Sequence, residues 1–452
     1  MGTCAPLYLP QHRKERVPNL IQFTVRTPKE NPLSEQQPAK HRRIFYGYWL
    51  VLVTFILLFL AIGCGSYAFS LFVTPLQEAL GWGRGQIMAG FTVFFVTMGV
   101  VSPLVGRFVD RFGARQVIPL GALIMGLGFV VVSRMSDLYL FYLGYVLIGT
   151  GAAGMGQVPS STIVSHWFKK RRGTAIGFMA AGLGAGGLIA PFVGNIIAGS
   201  GFRAAYMAMA IIIWAVAIPL GAIVVRTRPS EMGLYPDGDT TPPTDENGRA
   251  KEVTITGISL HQAMHTRTFW LIVISFFPAC FASMGLIQAP VPFLQDIGYP
   301  LQTAAAALAA ISIGSGIGKV FFGWLCDKIQ PKYAWAIGQT LMAISVLILL
   351  TIKGDSPVAI IWAYSLLLGF GVGSWLPTLS MLTSTNFGLL FYGAIFGILN
   401  LVQSLGTATG PFFAGAMYDA TGTYYWAFVT FGVLFAISIP AILLAKKPKE
   451  IK

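Results

Sequence analysis

The stretch AAAALAAISIGSGIGKVFFGWLCDKIQPK, Ala304–Lys332, decides the fold and contains an unusual charge. Most of it is apolar, over a length that crosses the roughly 30 Å hydrocarbon core of a membrane as one helix. Lys319 lies inside that apolar part, and a charged side chain in hydrocarbon costs about 3 kcal/mol even on mild insertion scales. No other predicted span contains an interior charge, so no carboxylate is available to pair with Lys319. We therefore expect its partner to be a small organic anion.

A second interpretation makes Lys319 an anchor at the membrane surface. Lys319 precedes Asp327 by eight residues, about 12 Å along a helix, so its long stem can reach toward the interface. The residues around it are small: Gly314, Ser315, Gly316 and Gly318. Such a face suits packing against other helices or lining a pore better than contact with lipid. The ligand-facing interpretation is therefore favoured over the anchor.

Composition places the whole chain in the membrane. Its 452 residues are 55% hydrophobic and 11% charged, with a mean hydropathy of +0.68, values typical of an integral membrane protein. The formal net charge of +14 does not indicate nucleic-acid binding, because the charges lie in the loops. The four cysteines are scattered without metal-ligand spacing, so neither a metal site nor a disulfide framework is expected, and no cofactor is implied.

Twelve apolar segments follow Tyr46, each near the length of a membrane span. They are 47–72, 86–106, 116–133, 138–165, 173–198, 203–225, 268–294, 303–326, 333–352, 357–383, 390–414 and 424–444. The predicted fold is thus an all-α integral membrane protein with twelve transmembrane helices in two six-helix halves. Its parts are a disordered cytoplasmic tail (1–43), an N-terminal half (44–225), a central cytoplasmic loop (226–267), a C-terminal half (268–446) and a short cytoplasmic tail (447–452).

Basic residues predict the orientation. If both termini are cytoplasmic, the inside segments hold 26 Lys and Arg, and the outside loops hold only Arg84, Arg134, Arg203 and Lys353. Cytoplasmic loops carry such an excess of Lys and Arg. We therefore expect a multi-pass protein of the plasma membrane with both termini in the cytoplasm.

The two halves resemble each other in sequence. Gly106–Arg115 (GRFVDRFGAR) follows the second span and Gly323–Lys332 (GWLCDKIQPK) follows the eighth, an offset of 217 residues. Gly173–Gly177 (GTAIG) in the fifth span matches Gly393–Gly397 (GAIFG) in the eleventh, an offset of 220. A parallel repeat of this kind places a binding site between the halves, near the middle of the membrane.

Twelve spans, a central loop and the paired loops resemble the major facilitator superfamily over residues 44–446. In those transporters the acid and the base of this loop hold neighbouring helices together on the cytoplasmic side. The resemblance assigns this gating role to Gly106, Asp110, Arg111 and Arg115 in the first copy and to Gly323, Asp327 and Lys328 in the second. The second copy has Gln330-Pro331 where Gly-Arg is usual, which predicts a weaker contact there.

A closer resemblance is to the monocarboxylate transporters and their bacterial relatives, including the oxalate:formate antiporters. It is carried by Tyr46–Trp49 (YGYW), Phe72–Trp82 (FVTPLQEALGW), Gly149–Gly156 (GTGAAGMG) and Gly318–Gly323 (GKVFFG). In these families a basic residue at the position of Lys319 holds the substrate carboxylate. Arg is more usual there, and Lys provides a point charge without the bidentate fork.

Two further departures bear on the cargo. The resemblance implies a second basic residue in the eleventh span for oxalate, and Gln403 stands at that place. One cation suits a monoanion better than a dianion. Proton-coupled members carry an Asp one turn before the eighth-span cation, where this chain has Ser315.

Other polar and aromatic side chains in the spans are candidates for the same substrate site. Together with Lys319 they are Tyr67, Ser70, Gln157, Gln288, Trp375, Asn400 and Gln403. Asn400 and Gln403 are three residues apart and share a helix face. The alternative for each Asn and Gln is a hydrogen bond between helices, and for Tyr67 and Trp375 it is packing. His166, beside Lys169, is predicted to be a solvated loop residue.

These observations predict a secondary transporter of lactate-like or pyruvate-like monocarboxylates, working by alternating access as a proton-coupled symporter. Exchange of carboxylates, as in the oxalate:formate antiporters, is one alternative, and a non-transporting sensor on the same scaffold is another. No catalytic motif is present, so an enzyme is not expected. The expected partners are a small organic anion with a proton and the lipid bilayer, with no nucleic acid, and the protein is expected to function as a monomer.

Overall fold

The computed structural model describes residues 45–239 and 256–446. The predicted tails 1–43 and 447–452, and the middle of the predicted central loop, lie outside the described residues. Within them the helices are α1 Tyr46–Gly65, α2 Val73–Leu80, α3 Arg84–Phe112, α4 Ala114–Ser133, α5 Leu138–Met155, α6 Gln157–Trp167, α7 Arg172–Ala185, α8 Ala190–Pro219, α9 Leu260–Met264, α10 Arg267–Gln288, α11 Pro290–Asp296, α12 Leu301–Lys328, α13 Pro331–Thr351, α14 Val358–Val372, α15 Trp375–Phe387, α16 Tyr392–Thr421 and α17 Tyr425–Leu443.

The described residues form the twelve membrane crossings predicted from the sequence. Among these described residues, ten helical runs are long and apolar enough to span a membrane. The run Arg172–Val224 contains two crossings, because the chain turns inside α8 at Gly201, whose φ of 82° is readily adopted only without a Cβ. These runs therefore account for eleven crossings, and the 30-residue helix α16 is the twelfth.

Three of the described crossings change near their middle, which the hydropathy pattern did not predict: the fifth becomes a 3-10 helix at Gly186–Ile189, and two others consist of two α-helices each. The fourth consists of α5 and α6, separated at Gly156, and the tenth consists of α14 and α15, separated at Gly373 and Ser374. The backbone at Gly156 is non-helical, with φ −91° and ψ −131°, whereas Gly373 and Ser374 keep helical dihedral angles. Non-helical backbone inside a membrane is tolerated where it is buried in protein or lines a cavity. The break in the tenth crossing is packed on α12, since a Cβ on Gly373 would lie 2.6 Å from the backbone nitrogen of Lys319.

The two halves meet along two helix pairs, α3 with α16 and α7 with α12. At the first pair, a Cβ on Gly106 would lie 1.9 Å from the carbonyl oxygen of Gly393. At the second, a Cβ on Gly323 would lie 2.4 Å from the carbonyl oxygen of Gly173. Backbones approach this closely only where side chains are absent, so these glycines set the distance between the halves.

An even number of crossings puts both ends of the described chain, Phe45 and Lys446, on one side of the bundle, which we call the terminal face. Side chains tie these ends to neighbouring helices. The hydroxyl of Tyr46 donates to the carbonyl oxygen of Val224 at 2.6 Å, and that of Thr268 donates to Lys446 at 2.5 Å.

Candidate binding site and the contacts that close the terminal face

Lys319 lies inside the bundle on α12, and its side chain is only 7% exposed. Nine residues separate it from Lys328, where α12 ends at the terminal face, about 13 Å along the helix. The backbone of Lys319 also meets the other half, since a Cβ on Gly177 of α7 would lie 2.6 Å from its carbonyl oxygen. Lys319 therefore lies at the boundary between the halves and away from the membrane surface.

The ammonium group of Lys319 donates to oxygens of its own helix. Its partners are the hydroxyl and, at 3.5 Å, the carbonyl oxygen of Ser315, one turn earlier. Among the described residues one ion pair is present, between Lys170 and Asp239 on the terminal face, and no carboxylate lies within 4 Å of Lys319. The serine solvates the ammonium group without neutralising it, which leaves its charge available to an anion.

Asn400 and Gln403 are both buried on α16, but their polar atoms have different surroundings. The Asn400 amide donates to the hydroxyl of Ser102 at 2.8 Å, and so joins the two halves. The side-chain oxygen of Gln403 is buried and, within the described residues, has no hydrogen-bond partner. A buried polar atom without a partner carries a free-energy penalty that a ligand can relieve.

Gln157 and Trp375 begin the second segments of the two broken crossings, α6 and α15. The Gln157 side-chain oxygen and the Trp375 indole nitrogen are buried, without a partner among the described residues. Trp375 follows the break that packs against Lys319. Aromatic walls with a few unpaired polar atoms suit a small carboxylate.

The remaining predicted site residues lie nearer the side opposite the terminal face. Tyr67 is 37% exposed in a 3-10 turn, Tyr67–Phe72, and a Cβ on Gly186 would lie 3.1 Å from its ring. Ser70 belongs to the same turn, and its side chain lies outside the described part of the structure. Gln288 is exposed and ends α10, so the structure does not bring it to Lys319.

On the terminal face, a carboxylate from one half binds the first turn of a helix in the other. We call the contact of Asp110 with α16 the first latch. The two carboxylate oxygens of Asp110 accept hydrogen bonds from the backbone amides of Gly393 at 2.8 Å and Ala394 at 2.7 Å. Amides of a first helical turn lack intrahelical partners and carry the positive end of the helix dipole. The half-buried carboxylate of Asp110 is therefore stabilised by the first turn of α16.

The second latch is the equivalent contact of Asp327 with α7. Its carboxylate accepts from the amides of Gly173 at 2.6 Å and Thr174 at 2.7 Å, and from the Thr174 hydroxyl at 2.6 Å. This is one hydrogen bond more than in the first latch, because Ala394 has no hydroxyl. The sequence predicted a weaker second contact from Gln330-Pro331, but the hydrogen bonds come from α7 rather than from that turn.

The basic residues of the gating loops do not bind these acids. Arg115 donates to the carbonyl oxygen of Ala222 in its own half at 3.0 Å. Arg111 lies 5.1 Å from the ring centre of Phe112, and Lys328 is exposed. In the described residues the halves are therefore joined by contacts between carboxylates and helix ends. Arg111 and Arg115 instead contact residues of their own half.

Three residues were missed or misplaced by sequence reasoning. Ser102, the partner of Asn400, had no signal beyond being polar inside a span. Thr174 lay inside a recognised repeat, where its difference from Ala394 could have indicated the extra hydrogen bond. The prediction for His166 was wrong: it is 6% exposed, and its Nδ1 lies 2.8 Å from the carbonyl oxygen of Thr162.

Two pseudo-symmetric halves of six crossings, with polar groups buried between them and one face closed by matched contacts, define a membrane transporter of the two-half type. The chain belongs to the Major Facilitator Superfamily, whose family model matches residues 51–406 and 307–452. It is therefore a transporter and not an enzyme, as predicted.

Known proteins resemble the chain over most of its length. The oxalate:formate antiporter of Oxalobacter formigenes is 25% identical over 419 residues, covering 91% of this chain and 94% of that protein. Monocarboxylate transporter 2 of Rattus norvegicus is 22% identical over 391 residues, covering 83% and 79%. The crystal structure of the transporter FucP in its outward conformation covers 90% of this chain and all of that one, with 15% identity and a TM-score of 0.68. This last likeness shows the shared fold.

Proposed function

We propose that the protein is a secondary active transporter of small monocarboxylate anions of the lactate or pyruvate type. The observation that carries the proposal is Lys319, a buried cation between the two halves with no acid beside it in the described residues. Burying an unpaired charge costs free energy. In a transporter, an anionic substrate can offset this cost by binding the charged group. The two relatives named for carboxylate transport support the same class of substrate.

The surroundings of Lys319 favour a monoanion. The described part of the structure places no second cation next to Lys319, and the eleventh crossing has Gln403 where the oxalate-type resemblance implies one. A lysine offers one charge without the fork of an arginine. Of the unpartnered groups in the described residues, the Trp375 indole nitrogen can donate to an oxygen of a small acid, and the side-chain oxygens of Gln157 and Gln403 can accept from an α-hydroxyl.

The two latches suggest how access alternates. With the terminal face on the cytoplasmic side, as the basic residues predict, the described conformation is closed toward the cytoplasm. An anion arriving from outside neutralises Lys319 and lowers the cost of enclosing it. Separation of the latches then opens the site to the cytoplasm.

Reconstitution into liposomes tests the proposal. We expect labelled lactate, pyruvate or acetate to accumulate in proteoliposomes, and unlabelled monocarboxylates to compete better than oxalate or neutral sugars. Liposomes without protein are the control. Binding of a monocarboxylate without any flux would favour the sensor, and the absence of both would refute the proposal.

Symport with a proton and exchange of two anions remain two versions of this function. The oxalate:formate antiporter supports exchange, and the monocarboxylate transporter resemblance supports symport. We expect external acidification to accelerate net uptake into liposomes that contain no carboxylate. If uptake instead requires an internal carboxylate and ignores the pH gradient, the protein is an exchanger.

A substitution at Gln403 tests the one-cation argument. We expect Gln403→Lys to strengthen competition by oxalate about tenfold or more, because a charge-assisted hydrogen bond contributes roughly 1.5–3 kcal/mol. The inhibition constant of oxalate against monocarboxylate uptake measures this. Gln403→Leu, which adds no charge, is the matched control and should not improve oxalate binding; equal oxalate inhibition in all three proteins would contradict the argument.

A further inference from the structure

An apolar groove of about 410 Å³ lies on the N-terminal half between α1 and α7, outside the proposed substrate site. On α1 it is lined by Tyr48, Leu52 and Phe55, and on α7 by Phe178 and Ala181. Tyr48, Leu52 and Phe178 are 55%, 47% and 53% exposed. Tyr48 and Phe55 are seven residues apart, about 10 Å of helix rise, so the groove follows the direction of a lipid chain.

Polar groups lie at only one end of this groove, the end at the terminal face. Arg171 is exposed there, and within the described residues it has no hydrogen-bond or ion-pair partner. Thr174 also lines this end, but its hydroxyl is bound to Asp327 in the second latch. Within the described residues the groove is therefore an apolar channel with a single free cation, which lies at its terminal-face end.

The three neighbouring basic residues of the same loop either have partners of their own or do not line the groove. Lys170 is paired with Asp239, and Arg172 donates to the carbonyl oxygen of Phe168 at 2.9 Å. Lys169 is exposed but does not line the groove. Of the four consecutive bases, Arg171 alone combines an unpaired charge with contact to the apolar channel.

We propose that this groove binds one anionic phospholipid of the cytoplasmic leaflet, with an acyl chain between α1 and α7 and the phosphate on Arg171. Arginine pairs with phosphate in a bidentate manner, and the cytoplasmic leaflet supplies the anionic lipids. The membrane itself covers this face, so the groove is filled by lipid rather than by water. The proposal does not depend on the identity of the cargo.

Native mass spectrometry of the purified full-length protein, titrated with phosphatidylglycerol or phosphatidylcholine, tests the site. We expect a tightly bound phosphatidylglycerol that phosphatidylcholine does not match. Arg171→Gln should weaken it about fivefold, the effect of one basic residue near a lipid surface. Ala181→Phe should displace both lipids by filling the channel.

Matched substitutions separate the groove from general surface effects. Lys169→Gln removes the same charge two residues away, and Ala215→Phe adds the same ring at an exposed position of α8, outside the groove. Both should retain wild-type binding. The proposal is overturned if Lys169→Gln weakens the lipid as much as Arg171→Gln, if Ala181→Phe has no effect, or if the two lipids bind equally. A dimer that disappears in Ala181→Phe would assign the groove to a second copy instead.

Discussion

Replacing Lys319 with alanine is expected to lower monocarboxylate uptake about 30-fold or more at substrate concentrations below saturation. Truncating one member of a buried, hydrogen-bonded charge pair costs roughly 2–5 kcal/mol, and the lower value corresponds to this factor. Initial uptake rates in proteoliposomes, normalised to the amount of reconstituted protein, measure the loss. Transport at the wild-type rate would remove the basis of the anion proposal.

The same substitution should not unfold the protein. In the absence of substrate, Lys319 has a serine as its hydrogen-bonding partner and no acid in the described structure, so its burial costs free energy. Removing that charge relieves the cost, and we expect the thermal unfolding temperature of the empty protein to stay the same or rise. The stabilisation that a monocarboxylate gives the wild type should disappear. Equal ligand stabilisation in both proteins would place the carboxylate elsewhere.

Two neighbouring substitutions show whether charge or shape matters at Lys319. Lys319→Arg keeps the cation and is expected to retain part of the uptake. Ser315→Asp places a carboxylate one helical turn from Lys319, where it should compete with the substrate for the ammonium group. Lowering the pH protonates this acid and frees Lys319, so uptake by Ser315→Asp should rise more steeply with acidification than uptake by Ser315→Asn. Parallel pH profiles would contradict this competition.

The sequence was informative wherever hydropathy or repetition determined the structure. The twelve crossings follow from the length of the apolar segments. In hydrocarbon the backbone N–H and C=O groups have no water to bind, and an α-helix satisfies all of them within one span. The two repeated motifs, the charged loop and the glycine-containing helix start, also contact each other across the two halves. The loop containing Asp110 meets the helix end at Gly393, and the loop containing Asp327 meets the helix end at Gly173.

The candidate site was less predictable, because its geometry depends on which helix faces meet. The sequence placed Asn400 and Gln403 on one face, but it could not show that Ser102 would pair with Asn400 alone. The boundary between α14 and α15 before Trp375 was hidden as well, since hydropathy does not show where one helix ends and the next begins. His166 was misjudged because its neighbouring bases are exposed while its own ring is turned inward.

Removing the charge from both latches is expected to shift the protein toward a state open at the terminal face. In Asp110→Asn and Asp327→Asn each side chain keeps one carbonyl oxygen but loses the charge that strengthens its bonds to the helix amides. A hydrogen bond to a charged group contributes about 1.5–3 kcal/mol, so the double variant should change the ratio of closed to open molecules by roughly tenfold or more. The two sites lie in different helix pairs and share no residue, so their effects should be nearly additive.

Spin labels on matched positions of the two halves measure this shift. Gln116 in α4 and Tyr333 in α13 are both exposed near the terminal face and are separated by the repeat offset of 217 residues. We expect their distance distribution to be short in the wild type and to gain a longer component in the double variant. An unchanged distribution would show that the latches do not hold the terminal face closed.

The difference between the two latches gives an internal control for this argument. Thr174→Ala removes the extra hydroxyl from the second latch and makes it equivalent to the first, so it should increase the open population less than Asp327→Asn does. Ala394→Thr adds the corresponding hydroxyl to the first latch, where it can donate to Asp110, and should decrease the open population. If closure depends on these hydrogen bonds, the fraction of open molecules must rise in the order Ala394→Thr, wild type, Thr174→Ala, Asp327→Asn. Any other order would mean that the Gly106–Gly393 and Gly323–Gly173 backbone contacts, rather than the carboxylates, hold the halves together.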